Sequence, residues 1–360
     1  MVAPTRYTNG ISTFPPKHTL ADFPVVTNSY QVAAQNEFMP YLSSQWTLTN
    51  TNATIAPLSI NEGALSILST TAAATKGLLS FTGNNATGQN VQFIPGNRLW
   101  FRTQIAVPSA TQTNATTIFA GLFDTVDPSV ATNGVWFTKP ASQSAMNIVI
   151  LKSGVTTTFT NVADLSHPDG RYGSSATAGT IALSASGTTA NTPSITAGGS
   201  GYVIAPVVTV SGTAGSGAQM YAVVNSGSLY NAIVTNPGSG YTAGTFATTI
   251  SHWVDLEMYY DGVSTLSFGV NGYTVLKIQI GGVQGITVGG TNNVATLGTS
   301  FAVPSTTQIT STTMTVLPPA GSPLHILPFM PLNAGVGLTS ATAITSQMYV
   351  DSLAVAVDYN

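Results

Sequence analysis

Short apolar segments that alternate with polar residues and end at turn-forming residues set the limits on how this chain can fold. The stretch RLWFRTQIAV begins at residue 98 and alternates in the manner of a strand. One face holds Leu99, Phe101, Thr103 and Ile105, and the other holds Trp100, Arg102, Gln104 and Ala106. Similar segments bounded by Gly, Pro, Asn or Ser follow at residues 116–125, 133–139 and 146–154. This spacing predicts an all-β antiparallel sandwich or barrel. Helical periodicity is nearly absent, and the competing interpretation is a short helix near residues 29–39.

Charged side chains are scarce in this chain. Asp, Glu, Lys and Arg make up 6% of the residues, against about 25% in a typical soluble domain. Nine basic residues and a net charge of -3 exclude the basic stripe that a nucleic-acid partner requires. Gly, Ser, Thr, Ala and Asn fill the surface instead, and such a neutral β-rich surface tends to associate. We therefore expect permanent assembly, with a soluble Thr-rich β-protein as the simpler alternative.

The N-terminal sequence and the amino-acid usage indicate a cellular compartment. The opening MVAPTRYTNGISTFPP lacks the apolar core of a secretory signal, and no run of 18 apolar residues offers a membrane span. We therefore expect synthesis in a host cytoplasm without a signal peptide, and no membrane partner. The chain has no Cys, which excludes disulfides and thiolate metal sites.

Candidate ligands for a metal ion or a cofactor are few. The four His residues show no metal-binding or catalytic-triad spacing, and His167 lies in a turn beside Asp169 and Arg171. Asp124 and Asp127, in FDTVDPS, could help to hold Ca²⁺ with loop carbonyls, but an Asp-Pro turn explains them as well. The prediction is that no cofactor and no metal is bound.

Residues 173–250 differ from the rest of the chain. They contain no charged residue and are rich in Gly, Ser, Thr and Ala. Related stretches at 194–212 and 232–250 each contain the tetrapeptide GSGY, and the two copies begin 39 residues apart, at Gly199 and Gly238. The period predicts a small duplicated β-unit in which each copy is a strand, a GSGY turn and a second strand.

The two GSGY turns contain the interaction residues singled out from the sequence, Tyr202 and Tyr241. The glycines suit the positive φ of a tight turn. Each tyrosine is predicted to cap the apolar side of its turn, and contact with a ligand is the alternative.

The segments on either side of residues 173–250 would join as consecutive antiparallel strands. We therefore predict that 173–250 is an inserted module, since insertions at loop tips cost little closure entropy. The host is then a discontinuous domain of residues 21–172 and 251–360. Residues 1–20 are predicted to be an extended arm along a neighbouring subunit, because the Pro pair in FPPKH excludes a helix.

Three acids lie close together in SHWVDLEMYYDGVSTLSFGVNGY, which begins at residue 251. Strand period places Asp255 and Glu257 on one face, which is predicted to be the solvent side of a hairpin. The buried face is predicted to hold Val254, Leu256, Met258 and Tyr260. The dipeptides Asp261-Gly262 and Asn271-Gly272 are both suited to a type I′ turn.

This stretch resembles the concanavalin-like and laminin-G-like jelly-roll proteins, in its Trp-led strand from Trp253, its DG turn and its returning strand that ends in NG. The C-terminal QMYVDSLAVAVDYN resembles the last strand of such domains, which returns to the middle of the sandwich. The resemblance implies a jelly-roll (concanavalin-like) sandwich with a Gly/Ser/Thr-rich β insertion. A glycoside hydrolase group of this superfamily carries E-x-D-x-x-E, but here the order is D-x-E and Tyr260 replaces the third acid, so no catalytic residue is predicted.

A second resemblance is to virion structural proteins of tailed bacteriophages, in the opening RYTNGIST and in the GSGY repeat. It implies a non-enzymatic capsid decoration or cement protein in the virion, which binds the major capsid protein and forms a homo-oligomer, a dimer or a trimer. The alternative is a glycan-binding tail fibre or head fibre that attaches to host surface glycans.

Overall fold

The computed structural model describes most of the chain between residues 30 and 358. The described ranges are 30–36, 46–58, 64–81, 91–186, 189–211, 215–242, 244–263, 265–279, 285–288, 294–296, 301–302, 313–315, 327–328 and 330–358. The predicted arm, residues 1–20, lies outside them. Helix in these ranges is confined to α1 (Ser109–Gln112) and a 3-10 turn at Pro128–Val130. Neither has the length and apolar character of a membrane span.

Strands make up nearly all of the regular structure. Before residue 173 they are β1 (Tyr30–Asn36), β2 (Trp46–Thr51), β3 (Ala53–Leu58), β4 (Ala64–Ser69), β5 (Thr75–Phe81), β6 (Leu99–Ala106), β7 (Thr116–Phe123), β8 (Gly134–Lys139), β9 (Ala145–Lys152) and β10 (Val155–Asp164). Next come β11 (Thr180–Ser186), β12 (Thr189–Ala197), β13 (Val207–Ser211), β14 (Ser216–Asn225), β15 (Ser228–Ser239) and β16 (Gly244–Ser251). The remainder are β17 (Trp253–Tyr260), β18 (Thr265–Val270), β19 (Tyr273–Gln279), β20 (Gly285–Val288), β21 (Val294–Thr296), β22 (Phe301–Ala302), β23 (Thr313–Thr315), β24 (Asn333–Ser340) and β25 (Gln347–Asp358).

Two large antiparallel sheets form the body of the protein. Sheet A has the order β21-β20-β19-β18-β17-β6-β25-β4-β3, and β1 also pairs with β25. Sheet B has the order β2-β5-β24-β7-β8-β9-β10-β23-β22. The chain passes repeatedly between the two sheets, so strands distant in sequence become neighbours, as in a jelly roll. The predicted all-β antiparallel sandwich is confirmed.

The core of the sandwich lies between the apolar faces of sheets A and B. The predicted buried face of β17, from Val254 to Tyr260, is in this core, as are Leu99, Phe101 and Ile105 of β6. Phe137 of β8 meets Phe268 of β18 edge to face, with ring centroids 5.6 Å apart, so this contact joins the two sheets. Each large side chain buried in this way contributes about 1.5–3 kcal/mol.

The first and the last of the described strands pair with each other in sheet A. As the C-terminal sequence predicts, β25 lies inside the sheet, with β6 on one side and β4 on the other. The second half of β25 also pairs with β1, from Tyr30 to Asn36. The alternative of a short helix near residues 29–39 is therefore wrong for Tyr30–Asn36, the described part of that segment. A helix this short is marginal by itself, whereas the edge of β25 offers this segment a ladder of hydrogen bonds.

The two predicted type I′ turns have different outcomes. Asn271 and Gly272 have φ values of 47° and 78° and join β18 to β19 directly, so the type I′ assignment is confirmed. The assignment at Asp261-Gly262 is wrong. β17 ends at Tyr260 and β18 begins at Thr265, which leaves a four-residue loop. The Asp261 carboxylate accepts hydrogen bonds from the backbone N–H groups of Val263 and Thr265.

Strands β11 to β16 form a third sheet, which we call the module sheet, with the order β12-β11-β16-β13-β14-β15. They run from residue 180 to residue 251, against a predicted insert of 173–250, and among the described strands they pair only with one another. Strands β10 and β17, which precede and follow them, belong to sheets B and A. Val207 of the module packs with Trp253 and Tyr349 of the body, so the module rests on the sandwich.

The two copies of the repeat fold alike, residue by residue. The first hairpin, β11–β12, pairs Ile181 with Ile195, and the second hairpin, β14–β15, pairs Met220 with Val234, each 39 residues later. Both register shifts of the first hairpin recur at the same offset in the second. The strand that follows each hairpin pairs with the other hairpin. Strand β13, which follows the first hairpin, pairs with β14 of the second, and β16, which follows the second hairpin, pairs with β11 of the first. The duplication predicted from the GSGY period is therefore present, with a two-fold relation between its halves.

Replacing Gly238 by Ala is expected to destabilise the module by about 3 kcal/mol. Gly238 has a φ of 64°, and an added Cβ would clash with the carbonyl oxygen of Ser216. Gly217 is the matched control, because its φ is 81° but the nearest atom to an added Cβ is 3.7 Å away. Gly217→Ala should cost only about 1–2 kcal/mol. Calorimetry of the two variants checks this, and equal losses would contradict the close approach.

Candidate functional site

The face of sheet A that points away from the core carries charged and aromatic side chains. We call it the polar face, and its members are Trp100, Arg102, Asp255, Glu257 and Tyr259. Pairing of β6 with β17 sets Glu257 opposite Arg102 and Tyr259 opposite Trp100. The rings of Trp100 and Tyr259 have centroids 5.4 Å apart. The polar face therefore gathers two acids, one guanidinium and two aromatic rings on neighbouring strands.

Arg102 and Asp255 form a two-point ion pair within the polar face. The Arg102 Nε donates to Asp255 Oδ1 at 2.8 Å, and a terminal guanidinium nitrogen donates to Oδ2. Glu257 Oε1 lies 3.5 Å from the same Nε. All three residues are between 3% and 5% exposed. The prediction that the acids lie on the solvent side is therefore wrong: strand period places them on the outer face, but a paired arginine lets that face be buried.

The hairpin that follows β17 helps to hold Asp255 in place. The backbone N–H of Asp255 donates to the Asn271 side chain at 2.8 Å, and the Asn271 N–H donates to the Asp255 carbonyl oxygen at 2.9 Å. Asn271 also donates to the Asp169 carbonyl oxygen at 2.8 Å. Asp255 is thus fixed by its backbone and by its carboxylate, which is what a structural ion pair requires.

The turn after β10, which contains His167, also contains a hydrogen-bond network around Asp169. The Asp169 carboxylate accepts from Arg171 Nε at 2.8 Å and from Ser174 Oγ at 2.5 Å. The ring of His252 lies nearby and contacts the carbonyl oxygen of Leu165 at 3.0 Å through Nε2. Burial lowers the pKa of His252 below its ordinary value. These contacts stabilise the junction between the body and the module.

Asp124 and Asp127 act as caps in the loop after β7. Burial alone would raise the pKa of Asp124, but hydrogen bonds from Thr132 and Asn133 outweigh it and hold that pKa below its ordinary value. Asp127 accepts from the backbone N–H of Ser129 at 3.0 Å and pairs with Lys76. No cluster of three acid or His side chains suited to a metal ion occurs among the described residues. The turn explanation therefore accounts for both acids.

Tyr202 and Tyr241 lie inside the module, and each is only 4% exposed. The Tyr202 hydroxyl accepts from the backbone N–H of Gly179 at 2.8 Å, and the Tyr241 hydroxyl accepts from that of Ala218 at 3.3 Å. The two bonds are related by the 39-residue period. Both side chains therefore cap their turns, and a ligand cannot stack on either ring in this structure.

Two further features were missed in the sequence. Lys139 is fully buried at the end of β8, and its Nζ donates to the carbonyl oxygens of Thr116 at 2.6 Å and Pro140 at 3.2 Å. On the module, Tyr221, Tyr230 and Ile233 lie exposed on the second hairpin. Strand period in QMYAVV could have found Tyr221, because Met220 and Ala222 on either side of it are buried.

No family model and no curated protein matches the chain. Among solved structures it is similar to a protein of unknown function from Shewanella oneidensis, at 12% identity and a TM-score of 0.40, over 92% of this chain and 88% of that one. It is similar to the globular domain of calreticulin from T. cruzi, at 8% identity and a TM-score of 0.39, over the same shares. It is also similar to a lectin from Bauhinia forficata, solved in complex with GalNAc, at 9% identity and a TM-score of 0.30, over 91% and 99%. Likenesses at this level assign no function.

Proposed function

We propose that this protein is a non-enzymatic structural subunit of a bacteriophage particle, a capsid decoration or cement protein that assembles with copies of itself and with other virion proteins. The observation that carries the proposal is how little charge reaches the surface. The chain has nine basic and 12 acidic side chains. In the described ranges six of them are buried, namely Arg102, Lys139, Asp164, Asp169, Asp255 and Glu257.

A neutral surface on a β-sandwich favours association. Soluble monomers keep about 25–35% of their surface residues charged, and neutral β surfaces without such charges tend to pair with one another. A subunit that is permanently covered by its neighbours needs no such protection. The large apolar core gives the subunit a rigid body for that role. The resemblance of the N-terminal sequence to phage structural proteins is the reason for proposing that the assembly is a phage particle.

The arrangement of the polar face supports a role without catalysis. A glycoside hydrolase needs two carboxyl groups that flank the bond it cleaves, with one acting as an acid. Here Asp255 is committed to Arg102 by two hydrogen bonds, and both acids are at most 5% exposed. A substrate cannot reach either group in this conformation.

Light scattering of the purified full chain tests the assembly. We expect the mass of a dimer or a trimer at low and at high salt, because contacts between neutral surfaces are not screened by ions. A monomer at both salt concentrations would refute the assembly. An oligomer that dissociates as salt is added would show that charged groups hold it together, and this would remove the observation on which the proposal rests. If the expected oligomer is found, the genes that adjoin this one distinguish a location in the head from a location in the tail.

Glycan binding by an appendage is the second candidate function. The tyrosines first considered for it, Tyr202 and Tyr241, are buried. The observation that favours it is a different pair of tyrosines, Tyr221 and Tyr230, which the same module exposes.

A further inference from the structure

The outer face of the second hairpin, β14–β15, presents apolar side chains to solvent. Tyr221 is 36% exposed, Ile233 is 50% exposed and Tyr230 is 71% exposed. Tyr221 and Ile233 are direct cross-strand partners. Tyr230 is the extra residue of the bulge that separates Leu229 from Asn231. We call these three side chains the exposed patch.

The first hairpin shows that the fold does not need the exposed patch. Its register is that of the second hairpin at an offset of 39 residues. The cross-strand pair equivalent to Tyr221 and Ile233 is Ala182 and Ser194. The bulge position equivalent to Tyr230 is held by Asn191. The two copies of the fold therefore differ in these three side chains, and folding does not explain the difference. The buried tyrosine, by contrast, is present in each copy, as Tyr202 and as Tyr241.

The size of the exposed patch indicates a small ligand. Three side chains exposed to this extent offer on the order of 300 Å². A standard protein interface buries about 800 Å² on each partner. The exposed patch is therefore too small to hold a second copy of the chain alone, and its two aromatic rings supply what is needed to pack against the C–H groups of a sugar ring.

The charge around the exposed patch selects the class of ligand. No Asp, Glu, Lys or Arg occurs from residue 173 to residue 250, so the module offers no counter-charge to an anionic ligand and no carboxylate to a cation. Asn231 and Asn236 accept backbone N–H groups through their side-chain oxygens. Each amide NH₂ group is then the part that can donate to a hydroxyl group.

We propose that the exposed patch of the second hairpin binds a neutral glycan, with Tyr221 and Tyr230 stacking on sugar rings and Ile233 completing the apolar floor. This binding role goes beyond assembly and does not depend on it. A particle protein with such a patch would bind uncharged sugars of a cell surface and would not bind sialylated or uronic-acid chains.

A printed array of neutral and anionic glycans tests the proposal, with titration calorimetry of the strongest neutral ligand. The informative variant is Tyr221→Ala combined with Tyr230→Asn and Ile233→Ser, which gives the second hairpin the residues of the first. We expect the wild-type protein to bind at least one neutral glycan, and the triple variant to bind it roughly tenfold or more weakly. The thermal midpoint should stay within about 2 °C of the wild type. Val263→Ser, at an exposed apolar residue of the body, is the control and should bind like the wild type.

Several outcomes would overturn the proposal that the exposed patch binds a neutral glycan. They are binding to no neutral glycan, binding to anionic glycans alone, and equal binding by the triple variant. Light scattering of the triple variant adds a fourth, because a lower oligomer mass without any change in glycan signals would assign the exposed patch to a second copy. Since the mass and the glycan signals are separate measurements, failure of glycan binding and failure of assembly are distinguishable.

Discussion

Arg102→Met is expected to destabilise the protein by about 3–5 kcal/mol, because it leaves two buried carboxylates without their counter-charge. Asp255 loses both of its hydrogen bonds from the guanidinium, and Glu257 loses the cation that lies 3.5 Å away. Denaturant unfolding measures the loss.

The matched control for the Arg102 variant is Lys76→Met. This change breaks an ion pair whose lysine side chain is 36% exposed, so solvent screens it and the expected loss is below about 1 kcal/mol. A second variant, Arg102→Met with Asp255→Leu, should recover part of the stability, since an apolar pair can replace a buried ion pair. If Arg102→Met costs no more than Lys76→Met, the polar face is not a buried electrostatic unit.

The stability of the protein is expected to rise with pH between pH 8 and about 9.5. Burial lowers the pKa of Lys139 from 10.5 to about 8. Above pH 8 the folded protein has released this proton while the unfolded chain still holds it, so the unfolded state binds more protons and the free energy of unfolding increases with pH. The full effect, complete near pH 10.5, is on the order of 3 kcal/mol.

Urea unfolding at several pH values checks the contribution of Lys139. Lys139→Met should remove most of the rise, because it deletes the amine with the large pKa shift. Burial also lowers the pKa of Lys152, so a smaller rise is expected to remain. Lys277→Met, which changes an exposed lysine of β19, should keep it. A rise that persists unchanged in Lys139→Met would assign the pH dependence to other groups.

Strand period predicts which residues share a face, but not what covers that face. It placed Leu256 in the core and Asp255 on the opposite face, and both placements are seen. It could not show that the opposite face is also buried, because the neutralising Arg102 comes from a strand far away in sequence. The same limit explains β1, whose partner β25 lies at the other end of the chain.

A turn could be predicted from the sequence only where the residue types of the turn itself determine its conformation. Asn271 and Gly272 adopt positive φ values in a two-residue connection that their own residue types favour. At Asp261 the end of strand pairing, rather than the dipeptide, sets the length of the loop. Register depends on the whole strand, so a dipeptide alone cannot supply it.

The repeat gave the clearest structural prediction and the least useful site prediction. Residues that recur at the 39-residue period, such as Tyr202 and Tyr241, make the same internal hydrogen bond twice. Tyr221 and Tyr230, whose counterparts at this offset are Ala182 and Asn191, are exposed to solvent. The repeat therefore predicted the two internal tyrosines, and comparison of its two copies identifies the exposed tyrosines that only the second copy has.

The place of β25 in sheet A determines when the body can form during synthesis. Its 12 residues form the last of the described strands and lie between β6 and β4, so a nascent chain lacks the middle of this sheet until residue 358 has been synthesised. The module strands are complete about a hundred residues earlier, and domains that are complete can fold while the ribosome still works. A premature stop codon near residue 346 would thus release a folded module between two halves of a body that cannot close.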